Sequence, residues 1–83
     1  MKKITIYSTR ICPYCVRAKN FFNKKNLEYT EIMIDMDPNQ MREMMEKSGR
    51  QSVPQIFIGD YHVGGFDDLM EHDMDGKLEG LLG

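Results

Sequence analysis

Two cysteines separated by two residues are the most reactive groups in this sequence. They lie in the segment Cys12-Pro13-Tyr14-Cys15, and the 83 residues contain no other cysteine. A strand-like run precedes the segment and a helix-like run follows it. Pro13 suits the first turn of a helix, because its ring fixes a helical φ and its missing N–H would have no partner there. Cys12 is therefore predicted to be the N-cap of that helix.

The N-cap position predicts different chemistry for the two thiols. The unpaired N–H groups and the positive end of the helix dipole favour a thiolate on Cys12, and such sites have thiol pKa values of roughly 3.5 to 7.5. Cys15 lies one turn further into the helix, close enough to form a disulfide but more shielded. We expect Cys12 to be the exposed nucleophile and Cys15 the resolving thiol.

A pair of this spacing is also compatible with half of a zinc site or with two inert thiols. A closed zinc site needs four ligands, and the two histidines, His62 and His72, are further apart than the usual three to five intervening residues. Carboxylates remain possible ligands. In a reducing compartment a close pair of cysteines is more often a working redox couple than a permanent cross-link. Redox chemistry is thus the favoured interpretation, and no metal is predicted.

Length and charge limit the other possibilities. A chain of 83 residues predicts one domain over residues 1–83. The net charge of −2 and the absence of any long Lys/Arg run argue against nucleic-acid binding. No apolar run reaches transmembrane length, and the N-terminus lacks the apolar stretch of a signal peptide. We expect a cytoplasmic monomer that does not bind membranes.

The apolar periodicity predicts an alternation of strands and helices. Ile4 and Ile6 alternate with polar residues as in a strand, and a stripe of Met41, Met44 and Met45 is interpreted as the core face of a helix. The predicted elements are a strand at 3–8, a helix from 13 to about 25, a strand at 29–35, a helix between Asp37 and Gly49, a hairpin of strands at 55–58 and 61–63, a helix from about 67 to 73 and a last helical turn at 77–82. The opening strand–helix–strand unit implies two parallel strands with a right-handed connection.

This order, with the cysteine pair at the first strand-to-helix junction, resembles the thioredoxin-like proteins, and the short form with Tyr in the motif resembles the dithiol glutaredoxins. The resemblance covers essentially the whole chain. Three blocks carry it: 12–15, the triplet Ser52-Val53-Pro54, and 64–68 with the sequence Gly-Gly-Phe-Asp-Asp. It implies an α/β thioredoxin-like fold, with a central four-stranded mixed sheet flanked by three or four helices in the order β-α-β-α-β-β-α.

The resemblance also implies a binding site for glutathione. In the family the Pro corresponding to Pro54 is cis and lies against the cysteines, so that Val53 offers its backbone to an extended peptide. Gly65 lets the backbone approach the ligand closely, and the first amides of the third helix receive the γ-glutamyl carboxylate. Asp67 or Asp68 is then expected to hold the ammonium group.

Other family positions are matched less closely. Tyr14 is expected to shape the groove beside the sulfurs. Thr9 stands where relatives commonly have Lys, so Arg10 beside it is expected to bind a glutathione carboxylate instead. Phe66 stands where relatives often have a third Cys.

The implied function is that of an enzyme, a glutathione-dependent thiol–disulfide oxidoreductase. Glutathione would be a cosubstrate, with no permanently bound cofactor, and the partners would be proteins that contain disulfides or glutathionylated cysteines. One alternative is a small redoxin reduced by thioredoxin reductase, against which the 64–68 block argues. Another is an iron–sulfur carrier in which Cys12 and glutathione ligate a cluster across a dimer. The stiffness that Pro13 gives the motif argues against this carrier.

Overall fold

The computed structural model describes residues 2–83, which form four strands and four helices. In chain order the elements are β1 (Ile4–Ser8), α1 (Pro13–Lys24), β2 (Tyr29–Met33), α2 (Pro38–Ser48), β3 (Gln55–Ile58), β4 (Tyr61–Gly64), α3 (Phe66–Met74) and α4 (Lys77–Leu82). The predicted element order is confirmed, and the last helical turn forms the short helix α4.

The strands form one mixed sheet in the order β2-β1-β3-β4. β1 pairs with β2 in parallel, and β3 pairs antiparallel with both β1 and β4. The parallel pair joined through α1 is the strand–helix–strand unit predicted from the sequence. Because β1 is central, its carboxyl end, where Cys12 follows, lies in the middle of one edge of the molecule.

Alternate residues of the sheet pack into two apolar clusters, one on each face. The larger cluster joins Ile4, Ile6 and their neighbours in the sheet to α1, α3 and α4. The smaller cluster, built around Tyr7 and Phe57, packs against Met44 of α2. The Tyr7 hydroxyl also donates to the Glu43 carboxylate at 3.0 Å, which ties α2 to the sheet.

The sequence signals at both ends of α2 are confirmed. Asp37 is the N-cap, and its carboxylate accepts the N–H of Asn39 at 2.9 Å. Gly49 ends the helix with φ of 72°, a left-handed conformation that glycine adopts without steric cost. Local side-chain and backbone chemistry therefore determines both limits.

Two details differ from the sequence prediction. β2 ends at Met33 and not at Asp35, because its partner β1 ends at Ser8, directly opposite Met33. The methionine stripe of α2 is only partly core, since Met44 is fully buried whereas Met45 is exposed. The helix lies on the sheet through a face too narrow to cover both side chains. None of the helices within residues 2–83 has the length and apolar character needed to cross a membrane.

Candidate active site

Cys12 caps the N-terminus of α1, as the sequence predicted. Its backbone is extended, with φ of −154°, and its sulfur accepts the N–H of Cys15 at 3.1 Å. Its carbonyl accepts the first helical hydrogen bond, from Val16 at 3.1 Å. The sulfur therefore lies at the end of the helix where unpaired N–H groups and the helix dipole stabilise negative charge.

The two cysteines are joined by a disulfide, with their Cα atoms 5.2 Å apart. They differ in access to solvent. Cys15 is 1% exposed, whereas Cys12 is only partly buried. The prediction that Cys15 is the more shielded of the two is confirmed, so an external thiol or disulfide has its access through Cys12.

The loop before β3 lies beside Cys12. The peptide bond between Val53 and Pro54 is cis, as the resemblance implied, and Pro54 is buried. The Val53 carbonyl oxygen is 3.9 Å from the Cys12 sulfur. This loop therefore places backbone polar groups next to the atom at which a substrate would react.

A buried glutamine holds this loop in place, and sequence reasoning did not single it out. Gln55 is 0% exposed. Its side-chain amide donates to the Ser52 carbonyl at 3.0 Å, and its side-chain oxygen is 2.7 Å from Nε2 of His62 on β4. Burial lowers the pKa of His62, and the positive charge of Arg50 adds to this effect, which favours the neutral imidazole. Gln55 thereby fixes the segment on which Val53 lies.

The N-terminus of α3 forms the opposite side of the site. Gly65 is the N-cap, and its own N–H donates to the Asp68 carboxylate at 2.8 Å. Helix geometry leaves the next three N–H groups, those of residues 66–68, without partners inside the helix. Gly64 has φ of 115°, and a Cβ atom there would collide with the Asp68 side chain, so the close approach of strand and helix requires glycine at this position.

Arg50 is a second residue that sequence reasoning missed. Its guanidinium donates to the Asp68 carboxylate at 3.0 Å. The Gly65 N–H and the Arg50 guanidinium together lower the pKa of Asp68 below its ordinary value. The only sequence signal for Arg50 was a basic residue two positions before the Ser52-Val53-Pro54 block. Its pairing depends on a contact across 18 residues of sequence.

These groups surround a cleft of about 290 Å³ beside the cysteines. The cleft brings together six of the predicted ligand-binding residues and adds Arg50, Ser52 and Phe66. Its walls are formed by Tyr14, Arg50, Ser52, Val53, Pro54, Gly65, Phe66, Asp67 and Asp68. Arg10 is not among them, because its side chain pairs with Asp35 at 3.0 Å. The basic group in this cleft is therefore Arg50, and the role predicted for Arg10 has no support from its placement.

The two histidines lie away from the cysteines in hydrogen bonds of their own. His62 contacts Gln55, and His72 contacts the Tyr61 hydroxyl at 2.8 Å and the Asp68 carbonyl at 2.7 Å. Within residues 2–83, no three His, Cys, Asp or Glu side chains are grouped to hold a metal ion. The arrangement at Cys12 is that of a thiol pair beside a polar cleft.

Comparison with known proteins agrees with this geometry. The glutaredoxin family model matches residues 4–63. The chain is 45% identical to a glutaredoxin of Pseudomonas aeruginosa, over 99% of this chain and 98% of that protein. It is 44% identical to glutaredoxin 3 of Escherichia coli, over 99% of each chain.

Solved structures of glutaredoxins have the same fold. The glutaredoxin of Brucella melitensis superimposes with a TM-score of 0.85 at 48% identity, over 99% of this chain and 89% of that one. A buckwheat glutaredoxin in complex with glutathione superimposes with a TM-score of 0.88 at 32% identity, over 98% of this chain and 76% of that one. With its cysteine pair at the N-terminus of α1 and its thioredoxin-like fold, this chain therefore belongs to the glutaredoxin family of thiol–disulfide oxidoreductases.

Proposed function

We propose that the protein uses glutathione to reduce disulfides in proteins and mixed disulfides between proteins and glutathione. The observation that carries this proposal is the cleft of about 290 Å³ beside Cys12, which is lined by one cation, by two carboxylates and by the N-terminus of α3 with its free N–H groups. Glutathione has two carboxylates, one ammonium group and one thiol. Each of its charged groups finds a group of opposite polarity in this cleft.

The cleft suggests a division of contacts along the ligand. The backbone of Val53 suits an extended peptide whose sulfur reaches Cys12, as in the pairing of one more strand. The first amides of α3 suit the γ-glutamyl carboxylate, and Asp68 suits the ammonium group. Arg50 then suits the remaining carboxylate, a role that the sequence suggested for Arg10. The buckwheat relative, which has been solved in complex with glutathione, supports the choice of ligand.

The dithiol reaction begins when the Cys12 thiolate attacks one sulfur of a protein disulfide. The disulfide breaks, a Cys12 mixed disulfide forms, and the other substrate sulfur leaves as a thiolate. The Cys15 thiolate then attacks the Cys12 sulfur and releases the second substrate thiolate, so the substrate gains two electrons and the cysteine pair becomes a disulfide. One glutathione thiolate opens that disulfide to a Cys12–glutathione adduct. A second removes the adduct as glutathione disulfide.

A mixed disulfide between a protein and glutathione needs only part of this sequence. Cys12 attacks the glutathione sulfur held in the cleft, and the protein leaves as a free thiol. A second glutathione then attacks the Cys12 adduct, and glutathione disulfide leaves. Cys15 takes no part in this route. No resident metal or organic cofactor is required in either scheme.

The substrates, the location and the oligomeric state belong to the same proposal. We place the protein in the cytoplasm as a monomer, with glutathione and disulfide-containing or glutathionylated proteins as its partners. A reducing compartment supplies the glutathione that the cycle consumes.

A coupled assay tests the electron donor. The protein is mixed with a glutathionylated peptide, and NADPH oxidation is followed either with glutathione and glutathione reductase or with thioredoxin reductase. The proposal predicts turnover with the first pair and little with the second. Turnover with thioredoxin reductase and little with glutathione would identify the protein as a redoxin whose electron donor is thioredoxin reductase. An absorbance spectrum of the freshly purified protein tests the cluster alternative, since a bound iron–sulfur cluster absorbs in the visible range.

A further inference from the structure

A second groove lies between α1 and α3, on the other side of Phe66 from the cleft. It has a volume of about 220 Å³ and is lined by Arg17, Asn20, Phe21, Lys24, Phe66 and Met70. The four residues from α1 follow a spacing of three and four, so they share one face of that helix. The two residues from α3 are one turn apart. The groove is thus a channel about two turns long between neighbouring helices.

The floor of the groove is apolar. Phe21, Phe66 and Met70 are partly buried and pack against the larger core cluster. Their remaining exposed surface faces a channel that nothing within residues 2–83 fills. Binding of an apolar side chain from another molecule would be favourable, because it would remove this surface from water.

The rim of the groove is basic. α1 contains no acidic residue. Two lysines near the groove are already neutralised, since Lys19 pairs with Glu31 at 2.8 Å and Lys25 pairs with Asp73 at 3.3 Å. Arg17 and Lys24 have no acidic partner among the ion pairs of residues 2–83. Both are exposed. The groove therefore combines an apolar floor with positive charge that is available to a partner.

The groove is continuous with the redox site. Phe66 lines both the cleft and the groove. The ring centroids of Phe66 and Tyr14 are 6.1 Å apart. The Arg17 guanidinium lies over the Tyr14 ring, 5.1 Å from its centroid. At about 1.5 Å of rise per residue, Phe21 lies roughly 13 Å along α1 from Cys12. An extended peptide covers this length in about four residues.

We propose that this groove binds a segment of the protein substrate while its reactive sulfur is at Cys12. The preferred segment has an apolar side chain about four residues from the reactive cysteine, with acidic residues on either side of it. This inference rests on the proposed function and adds a preference among its substrates. Glutathione occupies the cleft, and the protein part of the substrate occupies the groove.

The charges argue against a second copy of this chain as the occupant. In a symmetric dimer through this face, the same surface of each copy would meet its equivalent. The two pairs of Arg17 and Lys24 would then face one another without acidic partners. An acidic segment of another protein would instead be attracted to the positive charges of this rim.

Three substrates of the full-length protein separate this inference from the proposed function. The first is the mixed disulfide of glutathione and 2-mercaptoethanol, which has no peptide to fill the groove. The second is a glutathionylated peptide with the sequence Glu-Phe-Glu-Ser-Gly-Cys-Gly-Ser-Glu-Phe-Glu, which presents the motif in either chain direction. The third has Lys in place of every Glu. All are assayed with glutathione and glutathione reductase.

The wild-type protein should show a kcat/KM about fivefold higher for the Glu peptide than for the Lys peptide at low salt, and the ratio should shrink as salt is added. Lys24→Glu should remove or reverse this preference, and Asn20→Lys should increase it. Neither residue lies in the cleft, so turnover of the small mixed disulfide should not change. Arg42→Glu, which makes the same charge change at an exposed position of α2, on the opposite face of the sheet from α1, is the matched control and should keep the wild-type ratio.

Equal activity of the wild-type protein on the two peptides would overturn the inference. The same would follow if Lys24→Glu and Arg42→Glu changed the ratio alike. A dimer at assay concentration that depends on Lys24 would assign the groove to a second copy and also overturn it. Failure of the small mixed disulfide to react would instead contradict the proposed function.

Discussion

The Asp68 carboxylate has a role in the fold and a position in the cleft. It accepts the Gly65 N–H at 2.8 Å and the Arg50 guanidinium at 3.0 Å. The first contact stabilises the start of α3, and the second holds a cation in the cleft. A substitution that removes only the charge can separate these two roles, because the amide oxygen of an asparagine still accepts the Gly65 N–H.

Asp68→Asn should therefore raise KM for a glutathionylated peptide by about tenfold, which corresponds to the loss of one charge-assisted hydrogen bond of about 1.5 kcal/mol. kcat and the reactivity of Cys12 should change little, because the role proposed for Asp68 is in ligand binding and not at the reacting sulfurs. Steady-state kinetics and a thermal melt measure both effects. Glu71→Gln, an exposed charge on the same helix, is the matched control. An unaltered KM for Asp68→Asn would remove this carboxylate from the binding site.

Gln55 should matter for stability as well as for position. Gln55→Leu has a similar volume but leaves the Ser52 carbonyl and the His62 ring without their partner, which should cost about 1–3 kcal/mol of unfolding free energy. Denaturant unfolding measures this cost. Gln51→Leu makes the same substitution at an exposed position and should stay within about 0.5 kcal/mol of the wild type. Equal effects of the two would show that the buried hydrogen bonds do not stabilise the loop.

The residues that sequence reasoning missed depend on contacts between distant parts of the chain. Arg50 and Gln55 carry no motif, and each gains its role from a partner on another element, Asp68 and His62 respectively. Cys12 was identified because its neighbours Pro13 and Cys15 are adjacent in sequence. Arg10 illustrates the same dependence: it was expected to bind a carboxylate because it stands beside Thr9, where relatives commonly have Lys, whereas its side chain pairs with Asp35, 25 residues away in sequence, and does not line the cleft.

Among the elements, α1 contributes most directly to the chemistry. It buries Cys15 within its first turn and leaves the Cys12 sulfur at the end where the helix dipole and the Cys15 N–H favour a thiolate. Unequal reactivity of two otherwise identical thiols follows from this position alone.

Iodoacetamide should therefore label Cys12 first when the reduced protein is treated at increasing pH. The midpoint of its reactivity should lie clearly below about 8.5, the ordinary value for a free thiol. Mass spectrometry of the labelled peptides assigns the site, and free glutathione under the same conditions is the control. Preferential labelling of Cys15, or a midpoint at the ordinary value, would contradict the capping argument.

The order of the elements could be predicted from the sequence because local signals mark their ends. Asp37 and Gly49 limit α2 through capping chemistry, which residues near in sequence determine. The end of β2 could not be predicted in this way. It depends on where β1 ends at Ser8, which only the pairing of the two strands decides. Exposure of Met45 likewise depends on how α2 lies on the sheet.

At the scale of the whole molecule, the fold places two different surfaces next to one sulfur. On one side of Phe66 lies the polar cleft, and on the other lies the groove with its basic rim. Cys12 lies where α1 begins, and Cys15 is buried behind it. The proposed function therefore includes two reactions with different requirements, one that needs only Cys12 and the cleft and another that also needs Cys15.

The central claim is this unequal need for the two cysteines, and one comparison tests it most directly. Removal of glutathione from a peptide and reduction of a protein disulfide are measured on Cys12→Ser and Cys15→Ser, together with a melting curve for each variant. Cys15→Ser should retain deglutathionylation and lose most of the dithiol activity, because a second glutathione can resolve the Cys12 adduct. Cys12→Ser should lose both activities. Equal loss of activity and of stability from either substitution would contradict the account and indicate a structural or metal-binding pair.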